Sequence, residues 1–274
     1  MNKNMSFLNI LFILILAYLI VTLAVYLFQR KLLYHPYTTP HFSYDTSGEG
    51  LNHKFEKIKI NVSEEINING WFHFKNHTKK TVLFFHGNAG NLDNRIYKLN
   101  WLGNLDINYL IIAWRGYSSS DGKPTESGLY EDANSALKFL KDKGIFEKNI
   151  ILYGESLGTA IAVEIGQNKN FAGIILEAPF TSMVKLGQKY YPFFPVKLLL
   201  KDKYESEKKI KNLNSPILIL HGMKDKIVPF YMGEKIFNIA NEPKYKYFTE
   251  LDDHMMEFDD KLVNEIELFI KTLN

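Results

Sequence analysis

Five residues constrain this chain more than any others: Gly154-Glu155-Ser156-Leu157-Gly158, a G-x-S-x-G turn. Before it, residues 149–153 (Asn-Ile-Ile-Leu-Tyr) form an apolar run of strand length, and after it residues 159–165 read as a helix. A serine on a tight strand-to-helix turn is forced into a strained backbone. Flanking glycines remove the Cβ atoms that would clash there. The hydroxyl then stands at the carboxyl edge of a sheet, beside the free N–H groups that open the helix. The pattern predicts Ser156 as a nucleophile; the competing reading is a glycine-rich turn with a capping serine.

The rest of the chain supplies the sheet that such a turn needs. Residues 54–62 and 66–74 read as an opening hairpin, with His73 and His77 as surface residues. Short apolar strands are expected at 81–85, 109–113, 172–176, 216–220 and 245–249. Helices are expected between them at 92–102, 126–143, 231–240 and 257–272, with Thr125 or Ser127 as a cap for the second. Strands alternating with helices imply a mostly parallel α/β sheet with helices on both faces.

In a parallel sheet, ligand-facing loops leave from the carboxyl ends of the strands. Asp225 follows strand 216–220 and His254 follows strand 245–249, so both are expected at the edge that carries Ser156. His254 would take the Ser156 proton, and Asp225 would hold the imidazole in the right tautomer. Glu177, which also ends a strand, and Asp252 and Asp253, beside the histidine, are rival acids. An oxyanion would need two backbone N–H groups. Leu157 supplies one by position, and Asn88, in the loop His86-Gly87-Asn88-Ala89-Gly90 after strand 81–85, is expected to supply the other.

Residues 7–28 are apolar almost throughout, broken only by Asn9 and Thr22. As a helix they would measure about 33 Å, enough for a bilayer core of about 30 Å. Gln29-Arg30-Lys31 follows, rather than a small-residue cleavage site. The expectation is an uncleaved single-pass anchor after a tail of residues 1–6. A linker (29–53) would lift a globular domain (54–274) off the bilayer, with Tyr34 and Tyr37 as interfacial anchors or plain loop residues. Lys3 on one side and Arg30 and Lys31 on the other give little positive-inside bias, and a short tail kept in the cytoplasm favours an extracytoplasmic domain.

The net charge of +3 is too small to argue for nucleic acid, and the absence of cysteine excludes a thiol nucleophile, disulfides and thiolate metal sites. With no metal-spaced ligand cluster and no phosphate loop, no cofactor and no metal are expected.

The set His86-Gly87-Asn88-Ala89-Gly90, Arg115-Gly116-Tyr117-Ser118, Gly154-Glu155-Ser156-Leu157-Gly158 and residues 221–229 (His-Gly-Met-Lys-Asp-Lys-Ile-Val-Pro) resembles the α/β-hydrolase superfamily. With the apolar N-terminus, the chain is similar to the membrane-anchored α/β-hydrolase-domain serine hydrolases, which include protein depalmitoylases. The resemblance covers residues 54 onward and implies Ser156, Asp225 and His254 as the triad. Where relatives often carry glycine shortly before the histidine, this chain has Leu251-Asp252-Asp253.

Residues 181–214 break the alternation and read as a small cap, rich in aromatics (Tyr190, Tyr191, Phe193, Phe194) and lysines. Such a cap would touch acidic headgroups and guide an acyl chain inward, or present only an apolar underside and a solvated lysine face. The expected function is a membrane-anchored serine hydrolase for acyl esters or thioesters of lipids or acylated proteins, through an acyl-enzyme. The alternatives are a peptidase or amidase with the same triad, and a non-catalytic membrane-tethered binding protein.

Overall fold

The computed structural model describes residues 7–36 and 47–273. One long helix, α1 (Phe7–Leu33), precedes an α/β domain. The domain opens with the antiparallel pair β1 (Glu56–Asn61) and β2 (Asn67–His73), followed by β3 (Thr81–Phe85) and α2 (Ile96–Asn104). Then come β4 (Asn108–Ile112), α3 (Glu126–Asp142), β5 (Ile150–Glu155), α4 (Leu157–Gly166) and β6 (Gly173–Glu177). Three short helices fill the expected cap stretch: α5 (Met183–Tyr190), α6 (Val196–Leu199) and α7 (Ser206–Lys209). The chain closes with β7 (Ile217–Gly222), α8 (Phe230–Ile239), β8 (Lys244–Thr249) and α9 (Asp260–Thr272). Thr125 caps α3, its hydroxyl accepting the Gly128 N–H at 3.0 Å.

The eight strands lie in the order β1-β2-β4-β3-β5-β6-β7-β8. β2 runs antiparallel to both neighbours, and β3 to β8 are parallel. Strands β3 to β7 are buried along their whole length, which is why they read as unbroken apolar runs. β3 lies between β4 and β5, so the order of the chain reverses at it. The loops leaving β3 and β5 therefore flank one crevice at the carboxyl edge. This topology brings the Asn88 loop to the Ser156 turn although 68 residues separate them in sequence.

Two sequence expectations need correction. His73 is buried rather than on the surface: its ring stacks on Tyr109 at 5.2 Å and meets His53 edge-on at 4.6 Å. β2 sits between two strands, and its last four residues are all buried, so the polar side chain at its end is enclosed with its neighbours.

The segment after the apolar run also differs from a free tether. The helix continues through Leu33, and its end is docked on the domain. Gln29 gives its side-chain amide to the Leu199 carbonyl at 3.1 Å and takes the Lys201 N–H at 2.7 Å. Arg30 grips Asp202 with two bonds of 2.8 and 3.0 Å. Tyr34, an anchor or loop candidate by sequence, is buried, and its hydroxyl meets that of Tyr204 at 2.7 Å. Tyr37 lies outside the described residues.

Candidate active site

Ser156 joins β5 to α4 at φ 50° and ψ −111°, a backbone that only tight packing can hold in a residue with a Cβ. The packing is visible at the two glycines. A Cβ on Gly154 would come within 2.5 Å of the Gly158 carbonyl oxygen, and one on Gly158 within 1.9 Å of the Phe85 carbonyl oxygen. Only hydrogen fits at either place, so α4 can press against β3 and β5 and start directly after the serine. The Ser156 N–H donates to the Glu177 carbonyl at 2.8 Å, which pins the turn to β6.

The structure brings His254 and Asp225 to this serine. His254 Nε2 lies 3.0 Å from Ser156 Oγ, and its Nδ1 lies 2.8 Å from Asp225 Oδ2. The other Asp225 oxygen accepts the N–H groups of Ile227 and Val228, each at 2.8 Å. Burial works against the Asp225 charge, but hydrogen bonds from His221, His254 and Val228 outweigh it and hold the carboxyl below its usual range. An ionised Asp225 takes the proton on Nδ1, so Nε2 turns its lone pair to the serine hydroxyl. β7 and β8 are adjacent parallel strands, which is why residues 29 positions apart end at one spot.

The rival acids are engaged elsewhere. Glu177 accepts from Lys98 Nζ at 2.6 Å and from the Tyr153 hydroxyl at 2.7 Å. Asp253 accepts the Met255 N–H, and the Asp252 carboxyl accepts the Glu257 N–H. None of the three hydrogen-bonds His254.

Leu157 is the first residue of α4, so its N–H has no partner within the helix. The Asn88 loop lies over the turn: a Cβ on Gly87 would be 3.5 Å from that of Ser156. Asn88 is held from three sides. Its carbonyl accepts from His35 N–H at 2.9 Å and from the Tyr117 hydroxyl at 2.8 Å, and its side-chain amide donates to the Leu33 carbonyl at 2.8 Å. The Gly90 N–H returns a bond to the His35 carbonyl. The end of α1 is thus part of the scaffold of this loop.

A buried charge cluster behind the serine escaped the sequence reading. Glu155 accepts from Arg95 at 2.5 Å and from Lys98 at 2.8 Å, and Lys98 also reaches Glu177. Lys98 is fully buried. Burial opposes ionisation of Glu155, but Arg95 and Lys98 hold it well below the usual carboxylate range. Glu155 also accepts the Gly87 N–H at 3.2 Å, while Arg95 donates to the carbonyls of Ala89 and Asn91. One ion cluster therefore ties the serine turn to the loop that faces it. The available signal was a charged residue inside the G-x-S-x-G turn, matched by two basic residues three apart where α2 begins.

His86 completes the loop. Its Nδ1–H donates to the Gly87 carbonyl and its Nε2 accepts the Trp114 N–H, so the ring is neutral. Burial, helped by Arg95, lowers its pKa to about 3. Among the described residues, no group of three or more histidines and carboxylates is placed to hold a metal ion.

Residues 76–204 match the family model described as serine aminopeptidase, S33. The Mycobacterium tuberculosis protein Rv2307c is 32% identical over 219 residues, 79% of this chain and 76% of that protein. Protein bem46 of Schizosaccharomyces pombe is 29% identical, over 82% of this chain and 79% of its own length. Among solved structures, the Pyrococcus furiosus esterase Pf2001 superposes with a TM-score of 0.70 at 17% identity, over 88% of this chain and 99% of the esterase. An α/β hydrolase from Vibrio vulnificus gives 0.66 at 25% identity, over 81% of each chain. Sheet order, serine turn and these likenesses lead to one assignment: the chain belongs to the α/β hydrolases.

Proposed function

We propose that this hydrolase is a serine esterase or thioesterase, held at a membrane by α1, that works through an acyl-enzyme on Ser156. The observation that carries the reading is the continuous relay from Ser156 Oγ to His254 to Asp225, at 3.0 and 2.8 Å. Ser156 Oγ attacks the carbonyl carbon of the substrate while its proton passes to His254 Nε2. Asp225 stabilises the imidazolium so formed. The oxyanion of the tetrahedral intermediate takes the N–H groups of Leu157 and Asn88. As the intermediate collapses, His254 returns the proton to the departing alcohol or thiol. Water, activated by the same histidine, then releases the acid and restores Ser156.

The apolar α1, whose 18-residue core has a mean hydropathy of 2.9, supports the membrane assignment. We place the domain on the extracytoplasmic side. Digestion by protease added to intact cells is the expected result, and protection until lysis would reverse the orientation.

The test of the chemistry is labelling by a fluorophosphonate probe. The wild type should label and Ser156→Ala should not; a folded wild type that stays unlabelled would turn the reading to a binding protein. The description of the matching family model favours a second reading, an aminopeptidase on the same relay. Faster turnover of aminoacyl amides than of esters with the same acyl group would select it.

A further inference from the structure

The cap and α1 are joined well below the point where the apolar run ends. Lys201 and Asp202 are tied to Gln29 and Arg30, the first polar residues after the apolar run. From there the chain back to Phe193 descends along the helix. Leu199 meets Gln29, and the Phe193 carbonyl accepts the Tyr18 hydroxyl at 2.8 Å, with Phe194 stacked on the same ring. Tyr18 precedes Phe28 by ten residues, about 15 Å of helix, or half of a bilayer core of about 30 Å.

The descending segment is suited to that depth. Phe193 is 84% exposed and Leu198 81% exposed, so its outer face is largely apolar; its one charged residue, Lys197, is exposed too, and a lysine stem is long enough to carry the ammonium toward the headgroups. Hydrocarbon demands that backbone amides be paired. Here six of the eight amides between 191 and 200 are bonded, those of Phe193 and Lys197 being the exceptions, and positions 192 and 195 are prolines, which have none to pair. Lys201 lies 4.2 Å from the centre of the Tyr26 ring, level with the polar end of the helix.

Between the two walls runs a narrow, open groove with a cavity volume of about 170 Å³, lined by Val25, Leu32 and Leu33 of α1 and by Met183, Val196 and Leu199 of the cap. Its inner end is Leu33, whose carbonyl holds the Asn88 side chain.

We propose that the cap tip, residues 191–200, dips into the leaflet beside α1, and that the groove takes a long acyl chain of a glycerolipid from that leaflet. The walls of the groove are the anchor itself and the cap face that lies along it, so the groove opens onto lipid tails rather than water. An apolar chain entering it does not strand the amide of Gln29, which is bonded to Leu199 and Lys201. The ester at the head of that chain then arrives beside the Asn88 loop. This last step rests on the reading of Ser156 given above; the binding of the chain does not.

The test uses the full chain in phosphatidylglycerol–phosphatidylcholine vesicles. A phospholipid with a diazirine at the end of one acyl chain should, on photolysis, label residues 183–200 and the facing side of α1. Leu199→Trp, and independently Val25→Trp from the other wall, should reduce that labelling about ten-fold, since each methylene kept out of an apolar site weakens binding roughly four-fold. Labelling confined to Ile20, Leu23 and Leu27, on the opposite side of α1, would overturn the proposal. In the same vesicles, the ratio of kcat/KM for p-nitrophenyl palmitate to that for p-nitrophenyl butyrate should fall about ten-fold in both variants. An unchanged ratio would refute the groove as the acyl site. A wild type that hydrolyses neither ester, yet labels in the groove, would refute the serine-hydrolase reading and support the groove.

Discussion

Glu155 and Ser156 leave β5 side by side, yet each belongs to a different cluster of polar groups. Glu155 is buried and shared between Arg95, Lys98 and the Gly87 N–H, and the cluster continues to Glu177 and Tyr153. Ser156, half-buried, has one partner for its hydroxyl, His254, which is in turn held by Asp225. The first cluster pairs each of its charges and can only hold things in place. The second is left open at one atom, the serine oxygen, the point at which the proposed function has a substrate carbon bond. The two clusters, made from adjacent residues, differ in how completely their partners are supplied.

The widest separation of the two is expected from paired substitutions. Ser156→Ala should lower esterase kcat by about 10⁴-fold or more while leaving the melting temperature nearly unchanged. Lys98→Met should do the reverse in kind. It strands the Glu177 carboxylate in the core and should cost about 3–5 kcal/mol in chemical denaturation. If Lys98→Met left stability intact, the brace would lose its meaning; adding Glu177→Leu should restore part of the loss, because the stranded charge is gone.

Acid should sharpen the contrast. The unfolded His86 takes a proton below its ordinary pKa near 6.5, while the folded ring stays neutral down to about 3. The unfolded state therefore binds more protons in this window. Stability is complete above pH 6.5 and is lost as pH falls, by about 2 kcal/mol between pH 7 and pH 5. His86→Gln should flatten that slope, as read by denaturation at the two pH values. The Asp225 carboxylate behaves differently: its lowered pKa keeps its contribution intact until pH drops through the carboxylate range.

The smallest effect is expected at Asn88, the point where the two clusters and α1 meet. Asn88→Ala keeps the backbone N–H proposed for the oxyanion but loses the bond to the Leu33 carbonyl, worth about 0.5–1.5 kcal/mol. A fall in kcat of several-fold with KM little changed is the expected result. A complete loss would mean that the α1 end governs the loop far more strongly than one hydrogen bond allows.

Much of this molecule is written in local sequence, because local sequence controls backbone geometry and periodicity. The serine turn is legible from its glycines: the missing Cβ of Gly154 is a steric requirement of the turn itself, and that of Gly158 lets α4 close on β3 at Phe85. Strands β3 to β7 are legible because a strand covered on both faces must be apolar at every position. The carboxyl-end placement of Asp225 and His254 follows from parallel strand order. What could not be read is pairing across the fold. Nothing near Glu155 in sequence names Arg95 and Lys98 as its partners, and nothing near Arg30 names Asp202. An isolated lysine or arginine looks alike whether solvated or buried in a cluster; only the chain's return path decides. For the same reason residues 29–36 look like a tether in sequence and are a docked support in space. Sequence alone determined the turn, the sheet and the apolar helix, since each is set by neighbours a few residues apart. The tertiary structure alone decided which acid faces His254, what braces the serine turn, and that α1 and the residues of the expected cap share a groove, since each depends on contacts between residues far apart in the chain.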